Sequence, residues 1–131
     1  MSSYAKINLR EVEDSAPKFQ MPAEMEARFA RRPIGGETLG LSLFTLEPGF
    51  RIPFGHKHVG QEEVYVVIRG SARVNVDGDV VELGELDALR VGKDTMRAFE
   101  AGPDGVEYLA FGAGEDPSEV EMAQGWWGDE A

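Results

Sequence analysis

With 131 residues, the chain is long enough for one domain with a buried core and too short for two ordinary ones. Its 24 acidic residues outnumber its 13 basic ones, and the net charge of −11 repels nucleic acid and anionic membranes, so we expect neither as a partner. The absence of cysteine excludes disulfides and thiolate chemistry. Without a signal-like or membrane-length apolar run, we expect a soluble cytoplasmic protein.

Residues 1–37 predict a polar N-terminal extension that contains one short helix. Met21, Met25 and Phe29 recur every four residues, and Pro22 suits the first turn of a helix. Three apolar side chains at this spacing are typical of one helix face. The pattern breaks at the Arg-Arg-Pro sequence that follows.

From Thr38 onward the sequence predicts β-structure. Short runs of apolar and β-branched residues recur about every ten residues, separated by turns and without helical patterns between them. Asp77-Gly78 is a strong signal for a two-residue hairpin of type I′. The pattern indicates an antiparallel sandwich or barrel. The predicted strands cover residues 38–46, 63–68, 72–76, 79–83, 86–91, 96–100 and 106–111.

Residues 113–131 predict a second short helix and a tryptophan-containing tail. The sequence Asp116-Pro117-Ser118-Glu119 has the capping-box pattern, and the helix should run to about Gln124 and stop at the glycine after it. Trp126 and Trp127 follow. They could cover the apolar end of the barrel or form a dimer contact, since Trp is enriched in both settings.

The only two histidines of the chain, His56 and His58, stand two positions apart. On an extended strand they project to the same face. A turn then leads to a strand that begins near Glu63. Two imidazoles and a carboxylate brought together by a hairpin predict a site for a divalent transition metal, namely iron, manganese, nickel or zinc. The alternative is that the histidines are surface residues without a function.

Residues 49–70 resemble the first motif of the cupin superfamily, which reads glycine, His-x-His, glutamate and glycine. Here these are Gly49, His56-Lys57-His58, Glu63 and Gly70, with one residue more than usual between the first glycine and His56. The resemblance implies an all-β fold, a single-domain cupin-like jelly-roll β-barrel over residues 38–112. It also implies a homodimer, since cupins of this size commonly pair.

The second cupin motif is altered. An alignment based on the preceding strand and Phe99 places Arg97 at the position of the family's fourth metal ligand. An alignment based on the flanking glycines places Thr95 there instead. We favour Arg97, and the expected histidine is missing in either alignment.

An inward-facing Arg97 would change the chemistry of the site. Its permanent charge would oppose a dication at Glu63 by on the order of a few kcal/mol near 4 Å. Two outcomes are open. The metal stays on His56, His58 and Glu63 while Arg97 and Tyr65 bind or orient a small-molecule ligand, or the Arg97–Glu63 pair replaces the metal and leaves a polar binding site. Tyr65 lies on the same face of its strand as Glu63, and a packing role is its alternative.

Three classes of function follow from this site. The first is a metal-dependent enzyme acting on a small molecule, of the oxygenase, isomerase or decarboxylase class. The second is a non-catalytic module that binds a small metabolite beside the Arg97–Glu63 pair. The third is a purely structural dimer. Fold and function are loosely linked in such barrels, so the resemblance alone does not separate the three.

Overall fold

The computed structural model describes residues 3–114 and 120–128. One helical turn, α1 (Arg31–Ile34), and two 3-10 turns at Leu9–Glu11 and Pro17–Phe19 accompany the strands. None of the helices in the described part of the chain is long and apolar enough to cross a membrane. The strands are β1 (Met25–Phe29), β2 (Leu39–Leu46), β3 (Phe54–His58), β4 (Gln61–Val76), β5 (Asp79–Leu83), β6 (Ala88–Val91), β7 (Arg97–Gly114) and β8 (Val120–Gln124).

These strands form one curled antiparallel sheet. Its order is β1-β2-β7-β3-β8, and β4 branches from β7 to pair with β5 and β6 as well. The predicted all-β barrel is therefore confirmed. The division into residues 1–37, 38–112 and 113–131 remains a prediction, and β1 and β8, which lie outside 38–112, are strands of this same sheet.

Two long strands, β4 and β7, pair along most of their length and replace four strands predicted from the sequence. The register shifts at Ile68 and again opposite Ser71, where residues 102–105 of β7 bulge out. That excursion is the turn predicted after residue 100. The predicted hairpin is also found, since Asp77 and Gly78 both have positive φ angles, 49° and 97°.

An aromatic stack fills the centre of the core. The ring of Tyr108 lies between Phe44 and Phe99, with centroid distances of 5.1 Å and 4.1 Å. Tyr65 meets Phe99 edge-on at 4.9 Å. Close packing of this kind restricts rotation of the rings, so the stack fixes the direction in which Tyr65 presents its hydroxyl.

The predicted N-terminal helix is wrong, because Met25 and Phe29 belong to strand β1. Positions 21, 25 and 29 are separated by even numbers of residues, so a strand places them on one face as readily as a helix does. Pairing of β1 with β2 buries Met25 and Ala27 against the core, and this pairing decides between the two structures. The α-helical turn among the described residues of this region comes later, at α1.

The predicted C-terminal helix is wrong over residues 120–124, which form strand β8 along the open edge of β3. The capping-box residues 116–119 lie outside the described residues. A free sheet edge offers a whole row of unpaired backbone groups, and pairing with it satisfies the backbone of this short segment.

Candidate metal and ligand site

The structure brings His56, His58 and Glu63 together. The two histidines share one face of β3, and a turn at residues 59–60 leads into β4, which carries Glu63. One potential ligand atom from each residue lies within 4.8 Å of the others. The group could therefore hold a metal ion, as the spacing of the motif predicted.

The carboxylate of Glu63 is held by two strong donors on the same oxygen. Its Oε1 accepts hydrogen bonds from the Tyr65 hydroxyl at 2.5 Å and from Nη2 of Arg97 at 2.5 Å. The Nε2 atom of His58 lies 3.4 Å from the same oxygen. Opposite Glu63 on β7 is Gly112, where a Cβ atom would come within 3.5 Å of Oε2. That distance is an ordinary van der Waals contact, and the closer approach would be to Oε1 of Gln61 at 3.1 Å.

Arg97 is the residue that the structure places beside Glu63. Its side chain is fully buried, at 0 % exposure, and it also donates from Nε to the Tyr65 hydroxyl oxygen at 2.9 Å and from Nη1 to the Thr95 carbonyl at 2.8 Å. The Thr95 hydroxyl instead donates to the Lys93 carbonyl. Of the two residues that the alignments offered for this position, Arg97 is the one whose side chain reaches the centre.

The environment of the site fixes the charges of its groups. Burial and the charge of Arg97 lower the pKa of His56 to about 4, so its imidazole is neutral at pH 7 and keeps a lone pair for a metal. Burial alone would raise the pKa of Glu63. Hydrogen bonds from His58 and Tyr65, together with nearby positive charge, outweigh it and hold that pKa at about 2. The carboxylate is therefore ionised.

These donors fit a divalent ion held by three protein ligands. Two imidazoles and one carboxylate are the donor types found in three-ligand sites with open positions. The Nδ1 atom of His58 is buried and has no hydrogen-bond partner within the described ranges, which is the condition of an imidazole nitrogen that awaits a ligand. Arg97 opposes this fit by charge, but it occupies Oε1 of Glu63 and leaves Oε2 available.

The histidine strand is held mainly by the C-terminal segment. Strand β3 pairs with β7 at a single position, His56 with Arg97, whereas it pairs with β8 along all five residues. On the opposite face, the indole of Trp126 packs so closely on Gly55 that a Cβ atom there would clash with it. Trp126 also donates its indole N–H to the Asn75 carbonyl at 3.1 Å. The segment therefore helps to position both imidazoles.

Trp127 packs against the same chain as well. Its buried ring lies beneath the guanidinium of Arg51, 4.3 Å from the ring centroid, and near Arg73. Arg51 in turn forms an ion pair with Glu100 at 2.7 Å. Both tryptophans thus contact side chains and backbone of the barrel wall. Trp127 has too little exposed surface to contribute much to a dimer contact.

Sequence reasoning missed the placement of Gln61. The predicted strand starts at residue 63 and leaves Gln61 out, yet Gln61 is 4 % exposed and begins strand β4. It stands two residues before Glu63, so both side chains lie on the same face of the strand. Its Oε1 atom approaches Gly112 closely, beside the Glu63 carboxylate. The alternation that identified Tyr65 would have identified Gln61 if the strand had been predicted to start two residues earlier.

Comparison with solved structures shows the same fold. A cupin protein from Bacteroides fragilis is 22% identical, with a TM-score of 0.71 over 88% of this chain and 87% of that one. Streptomyces PAC13 with uridine is 16% identical, with a TM-score of 0.72 over 95% and 93%. Oxalate decarboxylase from Bacillus subtilis is 21% identical, with a TM-score of 0.77 over the whole of this chain, which spans 35% of that protein.

Comparison with curated protein sequences finds no match. The cupin domain family model, in contrast, matches residues 42–110, which is more than half of the chain and includes β3, β4 and the first motif. The match covers all three residues of the His56, His58 and Glu63 group. The chain belongs to the cupin domain family.

Proposed function

We propose that the protein binds a divalent transition metal through His56, His58 and Glu63 and acts as a metal-dependent enzyme on a small molecule. The observation that carries this proposal is the convergence of two imidazoles and an ionised carboxylate within 4.8 Å. The neutral state of His56 supports it, because only an unprotonated imidazole can bind a metal. Iron, manganese, nickel and zinc are all compatible with this donor set.

When bound, the ion would supply a Lewis acid that polarises an oxygen of the small molecule. The residues of the chain have separate roles. Because Oε1 of Glu63 already accepts hydrogen bonds from Arg97 and Tyr65, Oε2 is the oxygen that would bind the ion. Arg97 and Tyr65 thereby hold the carboxylate in one orientation. Arg97 has no exposed surface, so an incoming ligand would reach its guanidinium only after a neighbouring side chain shifts.

The charge of the site favours an anionic ligand. Glu63 and Arg97 cancel each other, and the imidazole of His56 is neutral. A divalent ion therefore adds its whole charge to a partly buried centre, and a ligand that carries negative charge would compensate it. This argument supports a small molecule with a carboxylate or similar oxyanion, whereas the reaction class stays open among oxygenase, isomerase and decarboxylase.

Calorimetric titration of untagged, metal-free protein with Mn²⁺, Fe²⁺, Ni²⁺ and Zn²⁺ tests the proposal. At least one ion should bind with a stoichiometry of one per chain. We expect His56→Ala and Glu63→Gln to weaken that binding by about 100-fold or more. Glu62→Gln is the matched control, because Glu62 is adjacent in sequence but exposed on the other face of β4. Equal binding by Glu63→Gln and Glu62→Gln would overturn the proposal.

A specific observation also favours a second function, a non-catalytic module that binds a small metabolite. In the structure the Arg97–Glu63 pair is formed, so a cation already occupies the carboxylate. On this alternative the pair takes the place of the metal. The two functions differ in one readout, since stabilisation by a metabolite would survive chelation with EDTA only in the second.

The proposal extends to the oligomeric state, the location and the ligand. We infer a homodimer from family resemblance, and we propose a cytoplasmic location. A small-molecule ligand is supported by the structural neighbour that was solved with uridine. Sedimentation equilibrium of the purified chain tests the homodimer directly.

A further inference from the structure

The C-terminal strand β8 places two apolar side chains beside the site. Its register pairs Val120 with His58 and Met122 with His56. Residues directly opposite each other on antiparallel strands project to the same face, with Cβ atoms about 4.5–5.5 Å apart. Val120 and Met122 are therefore the immediate neighbours of the two imidazoles, and both lie outside the part of the chain that the family model matches.

The other face of β8 confirms this orientation. Glu121 is paired with Lys57, and the two side chains approach to 3.8 Å. Ala123 is paired with Gly55, on the face against which Trp126 packs. The strand thus alternates, with Glu121 and Ala123 away from the histidines and the two large apolar side chains toward them.

Both apolar side chains are exposed at the edge of the site. Val120 is 38% exposed and Met122 is 54% exposed. A single exposed apolar residue is common on a protein surface. Two on the same face of one strand, next to a polar centre, form a surface that a bound ligand would shield from water. The flexible thioether side chain of methionine adapts well to varied ligand shapes.

We propose that Val120 and Met122 are specificity-determining residues that contact an apolar portion of the ligand while its polar head binds at His56, His58 and Glu63. This inference rests on the proposed function for the polar head. The ligand class that it defines is a small molecule with a charged or polar group at one end and an alkyl or aryl group at the other.

A series of straight-chain hydroxamic acids, from acetyl to octanoyl, tests this inference on the full chain loaded with Zn²⁺. Hydroxamates chelate the ion through a constant head, so only the tail varies. We expect affinity to rise about twofold per added methylene, half the effect of full burial, until the tail passes Met122. Met122→Ser and Val120→Ser should each flatten this dependence.

The control is Val80→Ser on β5. Val80 is 39% exposed, which matches Val120, but it lies beside the hairpin after β4 and is paired with Asn75. Its substitution should leave the chain-length dependence unchanged. A dependence that Val80→Ser reduces as much as Val120→Ser does would overturn the inference.

A second readout separates this inference from the proposed function. The ¹³C methyl resonance of Met122 is followed while the same hydroxamates are added to metal-free protein. If Zn²⁺ binds but the affinity for hydroxamates does not depend on tail length, the metal site is supported and the role of Val120 and Met122 is wrong. If no metal binds and the methyl resonance of Met122 still shifts with longer tails, the apolar contact is supported and the metal site is wrong. If neither occurs, both are wrong.

Sedimentation velocity completes the test, because a second copy of the chain is the other candidate occupant of this surface. Met122→Ser should leave the oligomeric state unchanged. Dissociation of an oligomer by this variant would show that the surface is a subunit contact and would overturn the inference.

Discussion

Nη2 of Arg97 lies 2.5 Å from Oε1 of Glu63. The side chain of Arg97 has no solvent-exposed surface. The Tyr65 hydroxyl accepts from the same guanidinium and donates to the same oxygen. Oε2 accepts no hydrogen bond from any residue that the structure describes. The carboxylate therefore has one oxygen fixed by the protein and one available to a ligand.

Replacement of Arg97 by methionine should destabilise the metal-free protein by about 3–5 kcal/mol, because it leaves the Glu63 carboxylate buried without its cation. Added Zn²⁺ should restore part of this loss, since the ion supplies the missing positive charge. Urea denaturation with and without Zn²⁺ measures both effects. Arg90→Met is the control, because the Arg90–Glu62 pair is exposed and should contribute less than about 1 kcal/mol. A similar loss of stability in Arg97→Met and Arg90→Met would contradict the buried ion pair between Arg97 and Glu63.

The Tyr65→Phe variant removes only a hydroxyl from the buried network. Arg97 Nε then loses its acceptor and Glu63 Oε1 loses a donor, so we expect the free energy of unfolding to fall by about 1–3 kcal/mol. Thermal or chemical denaturation measures the change. Tyr4→Phe, at an exposed residue, should have no measurable effect. A Tyr65→Phe protein as stable as the wild type would show that the hydroxyl contacts are not maintained in solution.

Stability should depend on pH through Glu107, a buried carboxylate outside the metal site. Hydrogen bonds from Arg10, Thr45 and Arg69 lower its pKa to about 2, below the ordinary 4.5, so the ionised form stabilises the fold above pH 4.5. This contribution is lost as the pH falls from 4.5 toward 2. Because Arg10 is largely solvent-exposed, we expect about 1–2 kcal/mol at pH 7.

Denaturation of wild type and Glu107→Gln between pH 2 and 7 tests this dependence. The difference in stability should be largest at neutral pH and should close at the acidic end. Glu85→Gln, an exposed loop substitution, serves as the control. A difference between wild type and Glu107→Gln that stays constant across the range would mean that the pKa of Glu107 is not lowered in the folded state.

Trp126 should control the mobility of the histidine strand. Trp126→Ala removes the ring that packs on Gly55 and the hydrogen bond to the Asn75 carbonyl. We expect backbone amides of residues 54–58 to exchange at least about tenfold faster, because local opening of this strand becomes easier. Hydrogen exchange followed by mass spectrometry measures it, with Leu86→Ala as a surface control. Exchange that accelerates equally across all strands would indicate global destabilisation instead.

The parts of the site that sequence could predict are those fixed by local geometry. His56 and His58 share a face because a strand alternates, and Glu63 follows them across a short turn. The same alternation relates Arg97 to Phe99, which faces the core. These relationships require only the strand and its register, and both follow from residues close together in the chain.

The parts that sequence could not predict depend on distant pairing. Strand β8 forms because β3 leaves an open edge, and nothing within residues 120–124 reports that edge. The apolar spacing before Phe29 suited a helix and a strand equally, and pairing with β2 decided it. The hydrogen bonds from Arg97 to Tyr65 and Glu63 depend in the same way on residues more than thirty positions earlier in the sequence.

The chain has only two histidines, and this makes one experiment decisive for the central claim. Untagged protein labelled with ¹⁵N-histidine gives imidazole signals from His56 and His58 alone, and both can be followed by NMR as Zn²⁺ is added. We predict that both sets of signals shift together and reach saturation at one Zn²⁺ per chain. Signals from either ring that remain unchanged through a full equivalent of Zn²⁺ would contradict the account.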